Sequence, residues 1–109
     1  MAQFDVHAYR GARRSDVAYV VVVQSALYDG YRRRVVVPLL KRTALPAVTE
    51  VVGTRLNPVF QIGDEQVVLN PLETVSMDLA ALGDKVASLA DEGQTIADAL
   101  DELFTRSWG

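Results

Sequence analysis

The pattern of apolar and polar residues in the first quarter of the chain predicts two strands. Phe4, Val6 and Ala8 are separated by polar residues, which is the period of a strand with one buried face. Residues 17–24, VAYVVVVQ, are instead apolar on both faces, and their β-branched and aromatic side chains predict a central strand. A turn over residues 11–16 is expected to connect the two strands.

A third strand and a hairpin are predicted further along. Residues 34–40 are rich in valine, but Pro38 has no N–H to donate, so we expect this strand at a sheet edge or interrupted by a bulge. The segment VFQIGDEQVVL predicts strands over 59–62 and 65–69 joined by Gly63 and Asp64, with the glycine at the first central position of a type II′ turn. Residues 43–52 contain Pro46 and predict a loop, with a short strand as the alternative.

The C-terminal third is predicted to end in a helix. Helix propensity favours a helix within 74–90, although Val75, Met77 and Leu79 alternate with other residues as in a strand. Asp91 and Gln94 have the spacing of a capping box, and beyond them apolar residues recur at helical intervals. The apolar positions of this helix are Ile96, Leu100, Leu103 and Phe104, and the acids expected to face water are Asp98, Asp101 and Glu102. Several strands and one terminal helix predict a small, mainly β, α+β domain.

Composition limits the function classes. A chain of 109 residues, half of them hydrophobic, is expected to form a single domain over 1–109. With no cysteine and one histidine, we expect no disulfide, no metal site of Cys or His ligands and no cofactor. The valine run is too short to cross a bilayer and the first residues lack the features of a signal peptide, so a cytoplasmic protein without membrane contact is expected.

Charge is distributed unevenly between the two halves of the chain. Residues 1–55 contain nine Lys and Arg against four Asp and Glu, whereas residues 56–109 contain two against ten. A protein that binds nucleic acid directly is usually basic throughout its contact surface, and phosphate would repel the acidic half. If DNA is involved, we therefore expect a protein partner to mediate the contact.

No set of side chains in the sequence assembles an active site. His7, the one imidazole, lies in an alternating strand without a nucleophilic serine motif nearby, so an exposed strand histidine is the preferred interpretation over a catalytic one. Arg32, Arg33 and Arg34 have the chemistry to bind phosphate or an acidic peptide, and the alternative is a solvated edge that discourages sheet pairing.

The final two residues, Trp108 and Gly109, place an aromatic ring at the end of the chain. Chain ends are usually polar, so an indole here indicates either a surface that a partner covers or a side chain that folds back over the core. If the helix continued to the end, Leu100, Phe104 and Trp108 would lie on one side of it, because residues four apart share a helix face.

Five segments of the chain together resemble the CcdB family, the toxins of plasmid and chromosomal toxin–antitoxin pairs that target DNA gyrase. In chain order the segments are QFDVHAY, VQSALYD, RRRVVVPL, LNPVFQIGDE and ALGDKVASLAD, the last leading into the terminal helix and its Trp-Gly. The segment over 56–65 is the most specific of the five. The resemblance covers nearly the whole chain.

The resemblance implies an SH3-like β-barrel with a small appended sheet and a C-terminal helix, assembled as a homodimer. It also implies a strand over 74–81 in place of the helix that propensity favours. Family members are not conventional enzymes: they bind the A subunit of gyrase and trap the cleaved DNA complex. A cognate antitoxin with a disordered C-terminal tail displaces them, and toxin and antitoxin together repress their operon, so that operator DNA is contacted through the antitoxin.

Carried over by position, the resemblance implies a gyrase-binding site at the C-terminal end and a second exposed surface. The implied gyrase-binding residues are Asp101, Phe104, Trp108 and Gly109, and the implied antitoxin or target surface comprises Leu27, Tyr28, Arg32 and Arg33. In the family Trp-Gly follows the phenylalanine directly and precedes a last aliphatic residue. Here three residues separate Phe104 from Trp108 and the sequence stops at Gly109, a displacement of about 4 to 5 Å along a helix axis.

Two other functions remain open from the sequence. The three additional residues are consistent with an antitoxin-binding homologue that has lost gyrase poisoning. An endoribonuclease toxin of the same fold is the other alternative, because related toxins with this fold cut messenger RNA, and His7 with the arginines of 32–34 would have to supply its chemistry.

Overall fold

The computed structural model describes residues 2–9, 16–45 and 51–105. These residues form seven strands, five short 3-10 turns and one helix. The strands are β1 (Asp5–Tyr9), β2 (Val17–Val22), β3 (Arg33–Lys41), β4 (Val59–Ile62), β5 (Glu65–Leu69), β6 (Val75–Asp78) and β7 (Leu82–Ser88), and the helix is α1 (Gly93–Phe104). No helix in these ranges is long and apolar enough to span a membrane.

All the strands belong to one curled antiparallel sheet. The order is β4-β5-β3-β2-β1-β7, and β6 pairs separately with the N-terminal half of β3. β2 lies in the interior of this order, between β1 and β3, which confirms the prediction of a central strand for the valine run. The expected fold class, a mainly β barrel-like sheet with one C-terminal helix, is confirmed.

The sheet buries apolar side chains on both of its faces. Alternation along β2 sends Val21 to one face and Val20 to the other, and both are almost completely buried. α1 covers the first face through Ile96 and Ala99, neither of which is accessible to solvent. The first core contains Val6, Val21, Val37, Leu39, Phe60, Ile62, Val67, Leu69, Leu89, Ile96 and Ala99, and the second contains Val20, Val22, Val36, Met77 and Leu82.

The hairpin of β4 and β5 has the predicted bounds. Ile62 pairs with Glu65 across the turn. Gly63 has a φ of 58°, and Asp64 is not in the positive-φ region. This combination is that of a type II′ turn, whose first central residue must be left-handed and is therefore usually glycine.

The prediction for Pro38 is wrong in both of its alternatives, because β3 is not an edge strand and its pairing with β2 runs through Pro38 without a bulge. β3 pairs with β2 along one side and, along the other, with β6 up to Val36 and with β5 from Leu39 onward. Pro38 lies where the second side changes partner, and its carbonyl accepts from the N–H of Asn70 at 3.1 Å. Because the N and O atoms of a strand residue face the same edge, the missing N–H points into this gap between ladders. The proline therefore costs no ladder bond.

The prediction of a helix within 74–90 from propensity is also wrong. The strand implied by the family resemblance is confirmed as β6. Helix propensities differ by only a few tenths of a kcal/mol for most residues, and sheet pairing outweighs them. The turn predicted over 11–16 lies outside the described residues except for Asp16. Within 43–52, a 3-10 turn spans Arg42–Ala44, and residues 46–50 lie outside the described ranges.

The capping box of Asp91 and Gln94 is not formed. The residue preceding the helix is Glu92, whose side chain makes no capping bond, and the Gln94 amide donates to Asp98 at 2.9 Å instead. The first residue of α1 lies close against Phe4, since a Cβ on Gly93 would lie 2.5 Å from its ring. Phe4 adopts a φ of 71° and its carbonyl accepts from the N–H of Leu89 at 2.9 Å, which joins the start of β1 to the end of β7.

Candidate functional site

The turn between β2 and β3 carries a group of exposed hydrophobic side chains. Leu27 is 87% exposed, Tyr31 68% and Tyr28 54%, and Val35 at the start of β3 is also exposed. We call these four residues the apolar patch. The rings of Tyr28 and Tyr31 are 6.4 Å apart between centroids and inclined at 45°. The sequence prediction that Leu27 and Tyr28 are exposed is therefore confirmed.

A concavity of about 470 Å³ lies within the patch. It is lined by both tyrosines and Val35, together with Gln24 and Arg33. Large exposed apolar side chains grouped in this way are typical of protein contact surfaces, where tyrosine and arginine are enriched.

The three consecutive arginines beside the patch have three different environments. Arg32 is largely exposed, with its guanidinium 3.3 Å from the Asp78 carboxylate of β6. Arg33 donates from Nε to the hydroxyl of Ser76 at 2.9 Å and from Nη2 to the Ser76 carbonyl, so it also leans toward β6. Exposed ion pairs of this kind stabilise a fold by less than about 1 kcal/mol, which leaves Arg32 available to a partner.

Arg34 is buried, contrary to the prediction of a solvated arginine run. Its side chain is only 4% exposed, and its Nε lies 3.5 Å from the Asp29 carboxylate. Nη1 donates to the carbonyl of Arg33 at 3.0 Å and also to that of Tyr31, and Nη2 donates to the carbonyl of Asp29 at 2.8 Å. The guanidinium therefore lies under the turn that carries the patch and satisfies its backbone.

Gln24 binds the same turn from the end of β2. Its Nε2 donates to the carbonyl of Tyr28 at 3.1 Å and, at 3.4 Å, to that of Arg33. Its Oε1 accepts from the N–H of Val35 at 3.1 Å. The Ser25 hydroxyl accepts from the N–H of Leu27 at 3.3 Å, which starts the 3-10 turn Ala26–Tyr28.

The end of α1 presents a second exposed group. Phe104 is 69% exposed, and Asp101, one turn before it, is also exposed. The last helical hydrogen bond joins the N–H of Thr105 to the carbonyl of Asp101 at 2.8 Å, and the helix ends because Thr105 has left helical geometry, with a φ of −127°. Trp108 and Gly109 lie outside the described residues.

Two of the helix acids predicted to face water are partly exposed and are also paired with an arginine. Arg55 places its Nη2 3.6 Å from Asp98 and its Nε 3.4 Å from Glu102. This arginine precedes β4, so it ties the outer side of α1 to the loop before the hairpin. Asp101 is the acid of this helix that remains on the exposed side together with Phe104.

His7 is buried, and the prediction of an exposed strand histidine is wrong. The residue is 7% exposed, its Nδ1 donates to the carbonyl of Gly83 at 3.0 Å, and its Nε2 is buried without a hydrogen-bond partner. Nδ1 must carry the proton, because a carbonyl only accepts. The imidazole therefore holds β1 to β7 and lies away from solvent.

The structure places the predicted site residues in two separate groups. Leu27, Tyr28, Arg32 and Arg33 lie together at the β2–β3 turn, and Asp101 and Phe104 lie at the end of α1. Sequence reasoning missed Gln24 and Tyr31. The signal for Tyr31 is its spacing of three from Tyr28, whereas no local pattern marks Gln24. Within the described ranges, no group of three or more His, Asp or Glu side chains is close enough to hold a metal ion.

The architecture and the family both have counterparts among known proteins. The Mycobacterium tuberculosis toxin MazF-mt6 is similar in fold, with a TM-score of 0.68 and 17% sequence identity over 95% of this chain and 99% of that one. At this identity the likeness concerns the fold alone. The model of the family described as CcdB protein matches residues 3–106. Because this match spans nearly the whole chain, the protein belongs to the CcdB family of toxins from toxin–antitoxin systems.

Proposed function

We propose that this toxin binds the A subunit of DNA gyrase and traps the enzyme on cleaved DNA. The observation that carries the proposal is the exposure of Leu27, Tyr28 and Tyr31 on a turn whose backbone is fixed by hydrogen bonds. Ordered, exposed aromatic and aliphatic side chains are the residues that dominate the affinity of protein interfaces. Membership of the CcdB family supports gyrase as the partner.

The end of the chain supplies the second part of the proposed contact. Phe104 and Asp101 lie at the exposed end of α1, and four residues beyond Phe104 the sequence has Trp108 followed by Gly109. Tryptophan is enriched among the residues that contribute most to binding. In a two-fold homodimer each such group occurs twice, which suits a symmetric target such as the gyrase A dimer.

The proposed activity is binding and not catalysis. The toxin acts in the cytoplasm as a homodimer, without cofactor or metal, and stabilises a complex that gyrase itself produces. A cognate antitoxin with a disordered C-terminal tail covers the apolar patch, with Arg32 and Arg33 at its rim, and thereby displaces gyrase. Toxin and antitoxin repress their operon together, and the antitoxin makes the contact with operator DNA.

Calorimetry with purified gyrase A subunit tests the binding step directly. We expect saturable binding by the wild-type protein and competition by the antitoxin encoded beside it. Failure to bind gyrase A at micromolar concentration, by a preparation that binds its antitoxin, would refute the gyrase proposal and support a homologue that retains only antitoxin binding. The three residues between Phe104 and Trp108 are the feature that favours this second candidate.

An endoribonuclease activity is the third candidate, favoured by the likeness in fold to the toxin MazF-mt6. The described site residues argue against it, because the one imidazole of the chain is buried and bonded to Gly83, and Arg34 is buried under the turn. A general acid or base must reach its substrate within hydrogen-bond distance. Incubation with a mixed RNA substrate is expected to give no cleavage products.

A further inference from the structure

Exposure alone does not make the apolar patch a binding surface, because its side chains must also be held in one arrangement. Leu27, Tyr28 and Tyr31 pack little against the rest of the protein, so their directions depend on the backbone of the turn. The backbone bonds of Tyr28, Asp29 and Tyr31 reach only three residues back along the chain. Single turns of this kind are marginal in water without further support.

Two long polar side chains provide that support from the flanking strands. The Gln24 amide binds the carbonyls of Tyr28 and Arg33, and the Arg34 guanidinium binds those of Asp29, Tyr31 and again Arg33. We call Gln24 and Arg34 the turn clamp. Three carbonyls of the turn and that of Arg33, the first residue of β3, thus receive hydrogen bonds from two side chains.

The burial of Arg34 makes its guanidinium dependent on the turn for hydrogen-bond partners. Removing a guanidinium from water is costly unless carbonyl and carboxylate oxygens replace the lost hydration. Here the turn carbonyls and that of Arg33 accept from Nη1 and Nη2, and the buried Nε, which makes no hydrogen bond, lies 3.5 Å from the Asp29 carboxylate. The desolvation of Arg34 and the order of the turn are therefore coupled, because an opened turn would leave a buried charge without partners.

We infer that Gln24 and Arg34 are positioning residues, which hold Leu27, Tyr28 and Tyr31 in the arrangement that a partner binds. The inference rests on the proposed function, in which the apolar patch contacts gyrase. A contact surface that is already ordered loses less conformational entropy on binding, and its affinity rises accordingly. Neither clamp residue needs to touch the partner to have this effect.

The test compares two clamp variants with a core control. Gln24→Glu is nearly isosteric and removes the two donated bonds while it keeps an acceptor for the N–H of Val35. Arg34→Met keeps the apolar stem and removes the guanidinium, and Gln24→Glu maintains the test if Arg34→Met fails to fold. Val67→Ala, at a fully buried position of β5, lowers stability without touching the turn.

The first readout is amide hydrogen exchange at Tyr28, Asp29 and Tyr31, whose N–H groups are bonded only when the turn is ordered. We expect exchange at least tenfold faster in both clamp variants under conditions where each is fully folded, and little change in Val67→Ala. Unchanged exchange in both clamp variants would overturn the inference, whatever gyrase does.

The second readout is affinity for purified gyrase A subunit. We expect at least tenfold weaker binding by each clamp variant and wild-type affinity for Val67→Ala. In a Leu27→Ala, Tyr28→Ala background the additional loss from Arg34→Met should nearly disappear, because the clamp acts through these side chains. Equal affinity of clamp variants and wild type would refute the positioning role, whereas absence of binding by the wild type would refute the proposed function instead.

Discussion

At the residue scale, the proposed contact with gyrase A depends most on Leu27, the most exposed large hydrophobic side chain of the described residues. We expect Leu27→Ala to weaken binding to gyrase A by about tenfold or more, as is typical of residues that dominate an interface. Calorimetry with purified gyrase A measures this change. The matched control is Leu72→Ala, because Leu72 is 69% exposed on a different turn. Equal losses for the two variants would show that the effect is not specific to the patch.

Sequence reasoning predicted the exposed residues of the site better than the buried ones. The family resemblance implies that Leu27 and Tyr28 are exposed, and their position is consistent with this because they adjoin Asp29 and Gly30, a pair typical of surface turns. His7 was expected in solvent because alternation assigns a residue to a face of the sheet without showing whether that face is covered, and Arg34 because a run of arginines usually forms a solvated edge. Here the second face is covered as well, by the core that includes Val20 and Leu82.

At the element scale, β7 lies so close to β1 that only glycine fits at its second position. A Cβ on Gly83 would lie 2.7 Å from the carbonyl oxygen of Ala8 and 2.8 Å from its Cβ. Because backbone atoms cannot move aside as a side-chain end can, we expect Gly83→Ala to lower the free energy of unfolding by about 1 to 3 kcal/mol.

Urea denaturation measures this loss, and Gly30→Ala is the matched control. Gly30 has no atom within 4 Å of an added Cβ, so its substitution should change stability by less than about 0.5 kcal/mol. A Gly83→Ala protein as stable as the wild type would contradict the close approach of the two strands.

The ion pairs that attach α1 to the rest of the fold are expected to contribute little to the free energy of unfolding. Arg55 pairs with Asp98 and Glu102, but all three side chains remain partly exposed. We therefore expect Arg55→Ala to lower the free energy of unfolding by less than about 1 kcal/mol, and by less still in 1 M salt. A larger loss in urea denaturation, independent of salt, would show that Arg55 stabilises the helix by packing.

The elements themselves were predictable where local chemistry determines them. The β4–β5 hairpin was predicted to the residue, because its turn requires a left-handed residue and Gly63 provides it. β6 was not predicted by propensity, since its structure depends on pairing with Arg33–Val36 of β3, which lies about forty residues away. The capping motif predicted for the start of α1 is not formed, and the close approach of Phe4 to Gly93 there has no local sequence signal.

At the scale of the whole molecule, the fold and the proposed killing activity depend on different parts of the chain. The buried residues of α1, Ile96 and Ala99, precede Phe104, the last residue of the helix. We expect a variant that lacks Trp108 and Gly109 to keep the wild-type thermal midpoint within about 2 °C, because it keeps every core residue of the described part of the chain. Calorimetric melting measures this midpoint, and a large decrease would indicate that the indole packs on its own subunit.

Plasmid linearisation by gyrase tests the central claim most directly. The purified protein is incubated with gyrase, ATP and supercoiled plasmid, and the complex is then denatured before electrophoresis. The account predicts linear DNA with the wild-type protein and none with the variant that lacks Trp108 and Gly109. Absence of linear DNA with saturating wild-type protein, or equal amounts with the shortened variant, would contradict it.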